Sequence, residues 1–355
     1  MVHCWSQEQI RRAGSLRFRK ADSARGVRIH DLSLEPLFTQ TSCAVDCILA
    51  SFSRESRVHI AGPRAKSILI HPRQTRPMVC RAFISVDMEG VNGVVSPDQA
   101  TPGRRNYEFA RRLMIREANA AVRGAYRGGA TEVLVNDSHD GMLNLKREDI
   151  DGRAELISGS HKKYSMMEGL DDSFSCAMFV GYHSMASGWG VLSHTMSGHL
   201  SKVRVNNYPG SEGVLNAMLA GSMNVPVTLV CGDELAVGEV LEACPAARKV
   251  IVKNSIDRFA ARNSALAEVE NKIEEEAALA VSGAKNTEPF RPRPPIEVEI
   301  EFSQPSIARR ANLSGLLEFR PPSSVIIRAD NGHDAWVAFR GAISLAATAR
   351  DPDYG

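Results

Sequence analysis

The sequence predicts an α/β protein, a mostly parallel sheet flanked by helices, with a smaller C-terminal α+β subdomain. Three observations carry this reading. Short apolar runs without alternation, such as Phe83–Val86 and Cys176–Val180, have the character of strands buried on both faces. Between the first run and Glu132–Asn136, apolar residues recur every three or four positions, which makes residues 83–136 a βαβ unit with parallel strands. Past residue 295 the period changes: Ile296–Phe302 alternates apolar and acidic residues, as a half-exposed strand does.

Taken in order, residues 1–80 form a basic leader, 81–283 an α/β core, and 284–355 a C-terminal subdomain that completes the fold. The leader carries 13 Lys/Arg against 6 Asp/Glu, whereas the rest carries 30 against 35. Rich in Ser and Arg, it has no sustained periodicity and no Lys/Arg run, so disorder is expected in preference to a nucleic-acid arm or transit segment. Its best apolar stretch, Ala44–Phe52, is broken by Asp46 and follows no compact positive region, a poor fit to a secretory signal.

In the core, Tyr107, Ala110, Met114, Ala118, Ala121, Val122 and Ala125 form one face of a helix over Arg104–Arg127, which Gly128 and Gly129 end. Further strands are expected at Ala154–Ile157, Val203–Asn206, Val225–Cys231 and Lys249–Val252, and helices at Glu212–Ser222, Asp233–Ala243 and Ser264–Val281. Prolines 289, 292, 294 and 295 make residues 283–295 a linker or extended crossing. Val325–Arg328 is the expected partner of Ile296–Phe302, with Asp334–Ala349 as a closing helix.

Composition narrows the class. With 355 residues, 43% hydrophobic and 24% charged, the chain is ordinary for a globular protein, and no run approaches the roughly 18 apolar residues of a membrane span. Neither a membrane nor a nucleic-acid partner is expected. Of seven cysteines, Cys43 and Cys47 lack a second pair to complete a zinc site, while Cys176 and Cys231 lie in apolar runs, so all read as free thiols in a reducing, cytoplasmic setting.

The chemistry gathers at strand ends. Phe83–Val86 runs into Asp87 and Glu89, two carboxylates two residues apart; Val133–Asn136 runs into Asp137 and His139; Ala177–Val180 runs into His183; and Glu212 opens a helix. In a parallel sheet the carboxyl ends share one edge, which brings such residues into a common crevice. Asp87, Glu89, His139, His183 and Glu212 offer three carboxylates and two imidazoles, a donor set suited to zinc. Five donors exceed the three protein ligands typical of one catalytic zinc, and two ions bridged by one carboxylate would use them all. Two divalent cations against three carboxylates leave a formal charge of about +1, which favours a metal-bound hydroxide and a developing oxyanion. That is hydrolase chemistry, and His194 is a further imidazole free for acid/base work. Residue types alone leave open a two-metal hydrolase for another substrate, such as a phosphoester, and a non-catalytic α/β assembly module. His161, His199 and His333 sit in polar contexts and receive no role.

From about Ala82 to Ala349 the chain resembles the M55 family of zinc-dependent D-aminopeptidases. The resemblance rests on Ser85–Gly90, Val135–His139 followed by Met142 and Asn144–Leu145, Ser165–Asp171, Gly181–His183, Ser193–His194, and Glu212 with Asn216. It implies two zinc ions per subunit held by Asp87, Glu89, His139, His183 and Glu212, with Asp87 bridging, and a catalytic His194. It also implies release of the N-terminal, often D-configured, residue of short peptides such as D-Ala-D-Ala within a homo-oligomeric ring, a decamer. One departure lies beside Glu212: the family usually shows Gly before the Glu and again two residues after it, whereas here the glycines are Gly210 and Gly213.

Overall fold

The structure, a computed structural model, describes residues 56–60, 66–70 and 79–349. The chain divides into a unit of residues 1–78 and a unit of residues 79–355. In the first, β1 (Ser56–Ile60) pairs antiparallel with β2 (Lys66–Ile70). The disorder expected of the leader otherwise falls outside the described residues.

The second unit is built on a seven-stranded sheet in the order β11 (Ala260–Asn263), β10 (Arg248–Asp257), β9 (Val227–Asp233), β6 (Cys176–Tyr182), β3 (Arg81–Val86), β4 (Glu132–Asp137) and β5 (Glu155–Ile157). Every pairing is parallel except β10 with the edge strand β11. The α/β fold read from the sequence is therefore the fold observed. On β3, Ala82, Ile84 and Val86 face one apolar core and Phe83 the other, which explains a run apolar at consecutive positions.

The first core lies under α2 (Tyr107–Arg127) and α5 (Leu266–Gly283), which follow the short α1 (Pro97–Ala100) in the chain. α2 and α5 approach closely because Gly124 and Gly128 face α5. A Cβ there would stand 2.3 Å from the Glu274 carbonyl oxygen and 2.4 Å from that of Ala278.

The second core lies between the parallel sheet and a five-stranded antiparallel sheet in the order β13 (Glu318–Arg320), β14 (Ser324–Ala329), β12 (Ile296–Phe302), β7 (Leu200–Val205) and β8 (Tyr208–Pro209). Helices α3 (Glu212–Ser222), α4 (Glu234–Ala243), α6 (Pro305–Ala311) and α7 (Gly332–Ala346) add their apolar faces to it. Ile296, Val298, Ile300 and Phe302 are buried and the intervening glutamates are not, as the alternation requires. β12 pairs with β14 on one side and with β7 on the other. The C-terminal segment thus shares a sheet with residues from the middle of the chain.

The chain passes from β3 to β4 and β5 on one side, then returns to place β6 on the other side of β3. The crevice opens at this reversal, outside the carboxyl ends of β3, β4 and β6.

Candidate metal centre

Asp87 follows the last residue of β3, and its amide donates to the Val180 carbonyl of β6 at 2.8 Å. Gly181 is left-handed at φ 71°, and a Cβ there would stand 2.2 Å from the Asp87 carbonyl oxygen. Only glycine allows this approach, which sets Asp87 beside the end of β6, where His183 leaves the strand. Glu89 lies two residues on in the turn, His139 just beyond β4, and Glu212 in the first turn of α3. Ser211 caps that helix, its hydroxyl accepting from the Val214 amide. The local departure from the family pattern therefore leaves a capped helix start.

The structure brings all five residues together. His139 Nδ1 lies 3.4 Å from Asp87 Oδ1 and 2.9 Å from Glu89 Oε2. His183 Nε2 lies 3.5 Å from Asp87 Oδ2 and 3.4 Å from Glu212 Oε1. Asp87 thus turns one oxygen to each imidazole, and all five residues are buried. His194 stacks on His183 with ring centroids 4.2 Å apart, and its Nε2 lies 3.7 Å from Glu212 Oε1.

Backbone carbonyls set the tautomer of each ring. His139 Nε2 donates to the Ala100 carbonyl, His183 Nδ1 to that of Ser184 and His194 Nδ1 to that of Leu192. A carbonyl can only accept, so the proton of the neutral ring is committed and the other nitrogen turns a lone pair toward the carboxylates. Glu89 Oε2 and His183 Nε2 are buried without a hydrogen-bond partner. Lone pairs facing carboxylate oxygens repel unless positive charge stands between them, and this donor chemistry fits divalent cations. Electrostatics agree: burial and the neighbouring Glu89 push Asp87 up to about 7. Burial opposes charge on His183, yet Glu212 and Asp87 raise it well above the usual imidazole range.

Further contacts hold the donors in place. Asp137 accepts from the Asn144 and Leu145 amides and from Asn144 Nδ2, which also donates to the His139 carbonyl. Asp137 therefore anchors the loop behind His139. Ser85 Oγ is 2.7 Å from the Tyr182 hydroxyl and donates to the Met166 carbonyl, while Asn216 Nδ2 donates to Tyr182. Lys253, fully buried on β10, donates to the carbonyls of Glu89, Val91 and Val94. Burial pushes its ammonium down to about 8 against the charges of Asp233 and Glu117.

Asp87, Glu89, His139, His194 and Glu212 open on a cleft of about 940 Å³ whose far walls include Met142, His161, Lys162, Met196, Val337 and Arg340. Neither Lys253 nor Arg340 is marked by the sequence, because a lysine after a short apolar run and an arginine on a helix both read as solvent-facing. His161, to which the sequence assigns no role, also lines the cleft.

Known proteins resemble this chain over most of the described residues. The peptidase M55 family model, D-aminopeptidase, matches residues 80–341. A D-aminopeptidase of Bacillus subtilis (strain 168) is 39% identical over 246 residues, which span 69% of this chain and 90% of that protein. The solved Zn-dependent D-aminopeptidase DppA from Bacillus subtilis, a self-compartmentalizing protease, is similar with a TM-score of 0.73 and 37% identity, over 77% of this chain and all of that one. Fold, donor set and relatives define a metal-dependent peptidase. Within that class, the chain belongs to the peptidase M55 family of D-aminopeptidases.

Proposed function

We propose that the protein is a dinuclear zinc aminopeptidase that releases the N-terminal, often D-configured, residue of short peptides. The observation that carries the reading is the placement of Asp87, with one oxygen toward His139, whose Nδ1 also faces Glu89, and the other toward His183, whose Nε2 also faces Glu212. Asp87, Glu89 and His139 would hold one ion, and Asp87, His183 and Glu212 the other. Zinc is favoured by the nitrogen and carboxylate donors and by the Zn-dependent relative. Bound there, such ions polarise a carbonyl and lower the pKa of water.

The chain's own groups supply the rest. His139 and His183 direct fixed lone pairs inward, so no ring must turn or change tautomer to bind. His194 has 28% of its side chain exposed, the most open of the three imidazoles, and its Nε2 faces Glu212. With Nδ1 committed to the Leu192 carbonyl, Nε2 holds the lone pair that takes a proton from the attacking water and then donates it to the oxyanion or the leaving amine. Two positions away on each side, Leu192 and Met196 are both left-handed at φ 54° and 57°, a strained setting typical of functional loops.

Metal analysis combined with D- and L-aminoacyl dipeptides and a phosphoester control tests the proposal. We expect two zinc equivalents per chain and amino acid release from dipeptides; phosphoester turnover without peptide hydrolysis would overturn it. By likeness to the self-compartmentalizing relative, the proposal extends to a homo-oligomeric ring. A solution mass equal to one 38.7 kDa chain would refute the ring.

A further inference from the structure

Helix α7 has two faces. Trp336, Phe339 and Ile343 are buried in the second core, while Val337, Arg340, Gly341 and Ser344, spaced three and four apart, line the cleft. Packing thus fixes the helix and commits Arg340 to the wall facing the carboxylates.

Arg340 is half-buried and, among the described residues, has no ion pair, hydrogen bond or aromatic partner. The cleft's other cations differ. Lys162 is engaged by the Asn136 side chain and the Asp137 carbonyl, and Lys163 is exposed with its ammonium over the Tyr164 ring. Glu212 is the one carboxylate whose charge is felt at Arg340, yet no Arg340 nitrogen lies within ion-pair distance of it. With the carboxylates of the centre committed to metal, Arg340 is left as a partly desolvated cation without a counter-charge. Such a group is costly unless a ligand supplies an anion. A planar guanidinium fork matches a carboxylate through two parallel hydrogen bonds.

Short peptides bring such an anion. When the scissile carbonyl lies at the donor cluster, the leaving portion points away from it and ends in a carboxylate about 3.5 Å further on per residue. We propose that Arg340 binds the C-terminal carboxylate of the substrate and so makes the enzyme selective for very short peptides with a free carboxyl end. This rests on the aminopeptidase reading and narrows its substrate class.

The test compares D-Ala-D-Ala with its C-terminal amide in wild type, Arg340→Met and Arg340→Lys. It adds calorimetric binding of the uncleavable reduced-amide analogue in acid and amide forms, and metal content. A charge-assisted bidentate contact predicts that wild type prefers the acid by about 10- to 100-fold in kcat/KM, mainly through KM. Arg340→Met should bring the ratio near one with metal content unchanged, and Arg340→Lys should recover part of it. The analogue should show the same preference in wild type and lose it in Arg340→Met. Equal handling of acid and amide by wild type, or a preference that survives in Arg340→Met, overturns the inference. If Arg340→Met does not fold, the wild-type ratio and Arg340→Lys decide. If wild type cleaves neither peptide, the aminopeptidase reading fails instead, and calorimetry still judges Arg340.

Discussion

Replacing Lys253 with methionine probes the claim that a buried cation holds the turn carrying Glu89. Its ammonium serves the carbonyls of Glu89, Val91 and Val94. Methionine fills similar space but has no proton to give, so three buried acceptors lose a donor at about 1–3 kcal/mol each, or roughly 6 kcal/mol together. Part is offset, because the variant no longer holds a charge in the interior. The drop from 10.5 to about 8 corresponds to roughly 3 kcal/mol of that penalty. The net expectation is a loss of about 3 kcal/mol, read as a fall of about 1 M or more in the urea midpoint at unchanged slope. Metal affinity should weaken as well, since Glu89 belongs to the freed segment. A variant within about 1 kcal/mol of wild type, the usual range for an inconsequential change, and with full metal affinity would refute the reasoning.

Three further outcomes are expected. Asp87→Ala should lose both ions and activity together, and two zinc equivalents retained in elemental analysis would refute bridging. His194→Ala should keep its metal while kcat falls by about 10²- to 10⁴-fold, whereas an effect confined to KM would count against proton transfer. Burial pushes Glu117 up to about 7 from an ordinary value of 4.5, despite the Asn92 amide that donates to it. The folded state then binds the extra proton, so wild-type stability should decline between about pH 4.5 and pH 7 by roughly 3 kcal/mol. Glu117→Gln should lack that slope, and parallel pH profiles in denaturant titrations would sink the assignment.

Much of this was legible in the chain. Strands such as Phe83–Val86 and Cys176–Val180 announce themselves because burial on both faces demands consecutive apolar residues, and their carboxyl ends then mark the crevice. Ile296–Phe302 and Glu212–Ser222 have the bounds read from the sequence. What escaped depends on tertiary packing. β8 has two residues and β13 three, too few for a period to show, and α6 is seven residues beginning at a proline. β11 is a half-exposed edge strand with no apolar run. Lys253 reads as a solvent-facing lysine until β10 is seated beside β9, and Arg340 as a surface arginine until α7 closes the cleft. The linker reading of residues 283–295 left the pairing of β12 with β7 unforeseen, because strand partners distant in sequence leave no local trace.

The three imidazoles pinned by main-chain carbonyls carry one more consequence. Ala100, Ser184 and Leu192 belong to the folded backbone, so the socket is shaped before any ion arrives. Unlike a zinc finger, whose fold waits for its metal, this scaffold owes its shape to two apolar cores. Chelation should therefore silence the protein without melting it, and added zinc should restore it without a refolding delay.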